Sequence, residues 1–85
     1  MEEFSYEIHD ELGMHARPAG MLAKLASGYK SNIMIGCEKG TADAKRLITL
    51  MKLGIQQNTE VKVTTEGEDE KVAAAGVLKF MQENL

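Results

Sequence analysis

Apolar residues follow two different periods along this 85-residue chain, and the changes between them limit the folds that the chain can adopt. A period of two, typical of a strand with one buried face, occurs at residues 4–8, 33–35, 42–44 and 61–63. Helical spacing follows the first, third and fourth of these segments. The predicted order is therefore β-α-β-β-α-β-α. Its short connections favour an α+β fold, with a compact antiparallel sheet and all helices on one face.

The later helices have recognisable ends. The second is predicted over residues 45–53, with Gly54 as its C-cap. The third is predicted to carry the acidic residues 68–70 in its first turn, where they oppose the helix dipole favourably. Its buried stripe is predicted to consist of Ala73, Val77, Phe80 and Met81.

Composition excludes several classes of protein. Apolar residues make up 44% of the chain and charged residues 27%, as in an ordinary globular protein, so residues 1–85 are expected to form one domain. The net charge of −3 argues against nucleic-acid binding, which needs a basic face. No apolar run approaches the ~20 residues that span a bilayer, and the first residues are acidic, unlike a secretory signal. A cytoplasmic location without membrane insertion is expected.

Two residues with reactive side chains are assigned no chemistry. Cys37 cannot form an internal disulfide, because it is the only cysteine, and it has no second ligand at a metal-binding spacing. His9 lies at the polar end of the first strand, also without a second ligand, and is interpreted as a surface histidine. No metal site and no cofactor are predicted.

The segment Gly13-Met14-His15-Ala16-Arg17-Pro18-Ala19 places a histidine where a turn becomes a helix. Gly13 permits the backbone angles of a tight turn, and Pro18 is tolerated only in the first turn of a helix. The helix is therefore expected to begin near His15 or Ala16.

This placement suits a histidine that accepts a phosphoryl group. The first amides of a helix lack intrahelical acceptors and carry partial positive charge, so they can hold an anion beside His15. Arg17 adds a guanidinium suited to phosphate. The same positive field disfavours imidazolium, so a neutral, nucleophilic ring is expected near pH 7. Alternatively, His15 is a polar helix cap and Arg17 a solvated charge, and local chemistry alone does not separate the two interpretations.

The two helices predicted to flank the site carry a basic and apolar surface. Ile48 adds apolar surface beyond the single core-facing stripe of its helix, whereas Leu50 and Leu53 are expected to pack against the sheet. A basic patch on an acidic protein suggests an acidic protein partner, although ordinary surface charge is an alternative. The basic residues are Arg17, Lys24, Lys45, Arg46 and Lys52.

Over essentially its whole length the chain resembles the HPr family, the histidine-containing phosphocarriers of the bacterial phosphoenolpyruvate:sugar phosphotransferase system. The resemblance is carried by residues 13–19, by residues 47–55 ending Met51-Lys52-Leu53-Gly54-Ile55, and by the tail that begins Gly67-Glu68-Asp69-Glu70. It implies an open-faced β-sandwich, in which three helices cover one side of a four-stranded antiparallel sheet.

The resemblance also implies a function. His15 would take a phosphoryl group on Nδ1 from phosphorylated enzyme I and give it to the A components of sugar permeases, and Arg17 would stabilise the phosphohistidine. Such a protein is a carrier with a phosphohistidine intermediate rather than a stand-alone enzyme, and it needs no cofactor. The residues that match the family's docking surface are Gly20, Met21, Lys24, Leu47, Ile48 and Met51.

One position departs from the family pattern. Gram-positive relatives carry a serine just before the second helix, and its phosphorylated form acts as corepressor of catabolite-control regulators. This chain has Arg46 there, which cannot be phosphorylated and argues against a corepressor role. Two alternatives stay open: an HPr-like regulatory binding protein, and a carrier in a nitrogen-related phosphotransferase branch.

Overall fold

The computed structural model describes residues 1–85, and it contains an antiparallel sheet of four strands with three helices on one of its faces. The strands pair in the order β1-β4-β2-β3, and all three pairings are antiparallel. The predicted α+β class and element order are confirmed. The elements are β1 (Glu2–Glu7), α1 (Ala16–Ser27), β2 (Asn32–Cys37), β3 (Gly40–Asp43), α2 (Leu47–Lys52), β4 (Glu60–Glu66) and α3 (Glu70–Asn84).

The core lies between the helices and one face of the sheet. Val63 of the central strand β4 pairs with Phe4 on one side and Ile35 on the other, and alternate residues along β4 are buried and exposed. The buried residues face the helices. The exposed residues lie on the opposite face of the sheet, which has no helices, as in an open-faced sandwich. The predicted stripe of α3 is buried as expected, with Ala73, Val77, Phe80 and Met81 all in the core.

The α2 helix is shorter than the predicted span of residues 45–53. It begins at Leu47, because a turn precedes it: the side chain of Asp43 accepts a hydrogen bond from Lys45 N–H at 2.9 Å, and the Asp43 carbonyl accepts one from Arg46 N–H at 3.0 Å. The C-cap is Leu53, and Gly54 follows it in a left-handed conformation with φ of 60°.

The α3 helix also starts later than predicted. Asp69 is its N-cap and Glu70 its first residue, so Glu68 and Asp69 lie before the helix rather than in its first turn. The reason is a contact distant in sequence. The Asp69 carboxylate accepts hydrogen bonds from Ser31 Oγ at 2.5 Å and from Lys30 N–H at 2.9 Å, which ties the start of α3 to the loop after α1.

None of the helices has the length and apolar character needed to cross a membrane.

Candidate functional site

The α1 helix begins at Ala16, within the predicted range, and His15 occupies its N-cap position. Its backbone is extended, with φ of −83° and ψ of −177°, and its carbonyl accepts the first helical hydrogen bond from Ala19 N–H at 3.0 Å. The imidazole makes no capping hydrogen bond, so the interpretation of His15 as a side-chain cap fails. Because Pro18 has no N–H, the amides of Ala16 and Arg17 are the two first-turn donors without an intrahelical acceptor.

The turn before His15 is fixed by hydrogen bonds. The Asp10 side chain accepts one from Leu12 N–H at 2.8 Å, and the Asp10 carbonyl accepts one from Gly13 N–H at 2.9 Å. Met14 N–H donates to the carbonyl of Ile55, also at 2.9 Å. Gly13 has φ of +66°, in the left-handed region that favours glycine. The histidine is therefore presented by a turn with little freedom to move.

His15 and Arg17 line the same surface depression, which has a volume of about 190 Å³ and is open to solvent. The His15 side chain is 35% exposed. Arg17 is exposed and has no hydrogen-bond or ion-pair partner within the chain, so its guanidinium is free to meet an anion beside the ring. A reaction at His15 would therefore take place at the surface.

The charge around the ring includes carboxylates that the sequence reasoning did not consider. Asp10 Oδ1 lies 3.9 Å from His15 Nε2, and Glu83 of α3 lines the same depression. These negative charges act against the positive field of the helix end, and the neutral ring stays a prediction. The Asp10 side chain accepts the N–H of Leu12, two residues later, which is the hydrogen bond of an Asx turn. Recognising an Asx turn before His15 could have placed Asp10 at the site.

The surface of α1 and α2 beside the site is apolar. The side chains of Met21, Leu47, Ile48 and Met51 are exposed, and Lys24 is exposed among them. Gly20 faces open space, since a β-carbon built there meets no atom within 4 Å. Leu50 and Leu53 are buried, as predicted.

The basic patch has fewer free cations than the sequence suggests. Lys45 Nζ donates a hydrogen bond to the carbonyl of Tyr29 at 2.8 Å, so this lysine ties the end of α1 to the turn before α2. Arg46 Nε lies 3.8 Å from Asp43 Oδ2. Arg17, Lys24 and Lys52 have no such partners and remain available to an acidic surface.

The other histidine and the cysteine lie apart from the depression. His9 is exposed, with its ring edge-on to Tyr6 and its Nδ1 4.0 Å from a Glu7 oxygen. Cys37 is half-buried against the core at the end of β2. No group of three or more His, Cys, Asp or Glu side chains is arranged to hold a metal ion.

Comparison with known proteins gives concordant matches. The family model "PTS HPr component phosphorylation site" matches residues 2–83. Phosphocarrier protein HPr of Mycoplasma genitalium is 36% identical over 85 residues, which cover 99% of this chain and 97% of that protein. Among solved structures, a histidine-containing phosphocarrier protein from Mycoplasma superposes with a TM-score of 0.94 at 34% identity, covering 96% of this chain and 93% of the other. An HPr from Thermoanaerobacter tengcongensis gives a TM-score of 0.93 at 32% identity, covering 98% and 93%.

The matched regions extend over nearly the whole of this chain and nearly the whole of each relative. The chain therefore belongs to the HPr family, the phosphocarrier proteins of the phosphotransferase system.

Proposed function

We propose that His15 is the residue that carries the phosphoryl group, on Nδ1, between phosphorylated enzyme I and the A components of sugar permeases. The observation that supports this most strongly is the position of its partly exposed ring, at the start of α1 and free of any capping bond. A ring so placed can meet the phosphorylated group of one protein and then that of another.

The step is an exchange of bonds at phosphorus. The lone pair on Nδ1 forms a bond to phosphorus while the bond between phosphorus and the donor breaks, and the donor keeps that electron pair. Transfer to the acceptor reverses the roles. Phosphoryl transfer depends mainly on positioning and charge neutralisation, so a carrier needs neither a deep pocket nor its own metal.

Arg17 and the helix end supply positive charge for the transferred group. The guanidinium offers several donors to phosphate oxygens, and the free amides of Ala16 and Arg17 offer two more. The negative charge that a phosphoryl group brings is thereby partly balanced, although Asp10 and Glu83 stand nearby.

Partners are proposed to dock on the α1–α2 surface formed by Gly20, Met21, Lys24, Leu47, Ile48 and Met51. Its apolar side chains can be covered by several proteins in turn, and Lys24 can pair with acidic residues at the rim. A surface of this kind suits a carrier that must bind and leave more than one partner.

The test is phosphorylation by enzyme I with labelled phosphoenolpyruvate. The wild-type chain should acquire an acid-labile, base-stable label. His15→Ala should acquire none, while His9→Ala, which removes the other histidine, should be labelled normally. Absence of label from the wild type, or its persistence in His15→Ala, would contradict the proposal.

A second stage identifies the branch. Labelled wild-type chain is mixed with A components of sugar permeases, and separately with acceptor proteins of a nitrogen-related branch. Rapid loss of label to the sugar components is expected. Transfer to the nitrogen-related acceptors alone would retain the chemistry and overturn the proposed partners, whereas transfer to neither would favour a regulatory role.

A further inference from the structure

The carboxylate of Asp10 lies beside one particular nitrogen of the His15 ring. Asp10 Oδ1 is 3.9 Å from Nε2. That distance is too long for a hydrogen bond, but a charge within about 4–6 Å affects the protonation of its neighbour. Contacts of this kind often tighten when a reaction complex forms.

Asp10 has little freedom to move away from the ring. Its N–H donates to the carbonyl of Leu85 at 2.9 Å, and its own carbonyl accepts from Gly13 N–H at 2.9 Å. Its Oδ1 accepts from Leu12 N–H at 2.8 Å. The backbone and the side chain are both held, so the negative charge is fixed on the Nε2 side before any partner binds.

A fixed carboxylate at Nε2 selects between the two tautomers of a neutral imidazole. Hydrogen on Nε2 can point to Asp10, which leaves the lone pair on Nδ1. Once phosphorus is bound to Nδ1, the ring carries positive charge until it loses a proton, and the same carboxylate stabilises that charge. The other charged side chains that line the depression are Arg17 and Glu83.

We propose that Asp10 is a positioning residue for phosphoryl transfer, which holds the proton on Nε2 of His15 and so directs the phosphoryl group to Nδ1. This inference rests on the proposed function of His15. It concerns how the ring is prepared for transfer, and it assigns Asp10 no contact with phosphorus.

The informative variant is Asp10→Asn. An asparagine retains an oxygen that can accept the Leu12 N–H, so the turn is kept while the charge is lost. Asp10→Ala removes both the charge and the turn contact. Glu11→Gln is the matched control, because Glu11 is an exposed carboxylate of the same turn that neither lines the depression nor forms an ion pair with the ring. Thermal unfolding of each variant establishes that it is folded.

Two measurements are made. In ¹⁵N NMR of the neutral ring, we expect Nε2 to carry hydrogen in the wild type and the form with hydrogen on Nδ1 to increase in Asp10→Asn. In steady-state transfer from enzyme I, we expect Asp10→Asn to lower kcat about fivefold, the size expected for one partly exposed ion pair, with KM unchanged. Glu11→Gln should change neither.

The inference is overturned by unchanged tautomer populations in Asp10→Asn, by an equal loss of kcat in Glu11→Gln, or by a loss confined to Asp10→Ala, which would mean that Asp10 only builds the turn. The NMR measurement needs no partner and stands whether or not transfer occurs. An unlabelled wild type would contradict the proposed function, whereas normal labelling with no effect of Asp10→Asn would contradict this inference alone.

Discussion

Gly13 lies so close to Ile55 that a β-carbon on Gly13 would come within 2.3 Å of the Ile55 carbonyl oxygen. The same oxygen accepts the Met14 N–H. This contact joins the turn before α1 to the segment after α2. It thereby fixes the position of the backbone immediately before His15.

Gly13→Ala should therefore be strongly destabilising. Alanine would have to adopt φ of +66° and also displace the Ile55 carbonyl. We expect the free energy of unfolding to fall by about 2 kcal/mol or more, measured by urea denaturation, and phosphorylation by enzyme I to slow. Unchanged stability would show that the turn can rearrange without cost.

Gly20→Ala should have opposite effects on stability and on binding. Nothing lies within 4 Å of the added β-carbon, so the free energy of unfolding should rise by about 1 kcal/mol from helix propensity. If a partner packs closely on α1, the same methyl group should weaken binding of enzyme I, measured by calorimetry. The matched control is Gly76→Ala in α3, where the Tyr29 side chain must shift to admit the β-carbon, so a smaller gain in stability than for Gly20→Ala is expected. Full affinity in Gly20→Ala would exclude close approach at this position.

Ile48→Ala should weaken docking without weakening the fold. Ile48 is 61% exposed on α2, and Val72 is 64% exposed on α3, outside the proposed docking surface. The minority of interface side chains that dominate binding cost more than ~1 kcal/mol when truncated, and Ile48 is expected to be one because it is the most exposed apolar residue of the surface, so a loss of affinity for enzyme I of about fivefold or more is expected. Val72→Ala should bind normally. Equal affinities for the two variants would show that the docking surface lies elsewhere on the chain.

Arg17→Ala should slow phosphoryl transfer while the chain remains folded. Hydrogen bonds to charged groups contribute roughly 1.5–3 kcal/mol, which corresponds to a decrease in rate of about tenfold or more. Lys71→Ala removes an exposed cation of α3 and should leave the rate of labelling unchanged. If both variants lose activity equally, general electrostatic attraction rather than the placement of Arg17 is responsible.

The contact between α3 and the loop after α1 should make stability depend on acid pH. The Ser31 hydroxyl, and then the Lys30 N–H, lower the pKa of Asp69 from 3.8 to about 2. Because the folded-state pKa is depressed, the stabilisation is present above the unfolded pKa and is lost as pH falls through the folded value. The urea midpoint of the wild type should decline between about pH 4 and pH 2, and Asp69→Asn should be less stable near neutrality with a shallower decline. Glu38→Gln, at an exposed carboxyl without an ion pair, should follow the wild type.

Local patterns in the sequence predict most of the fold. The alternation of Val61 and Val63 marks the central strand, and the turn-to-helix signal of Gly13 and Pro18 places the start of α1 correctly. Exposure of Ile48 also follows from helical spacing, because α2 has more apolar residues than one core face can bury.

The differences arise from side-chain hydrogen bonds, some of them local and one distant in sequence. Asp43 turns the chain through Lys45 and Arg46 and shortens α2, and Asp69 bonds to Ser31, 38 residues earlier, instead of entering α3. The approach of Asp10 to His15 also depends on how the turn folds back. Helix propensity and periodicity describe none of these side-chain bonds.

The most direct test of the account is to locate phosphorus on the chain after reaction with enzyme I and phosphoenolpyruvate, by ³¹P and ¹⁵N NMR of the phosphorylated protein. The account predicts a single phosphoramidate, on Nδ1 of His15. Phosphorus on Nε2, on His9 or on any other side chain would contradict it.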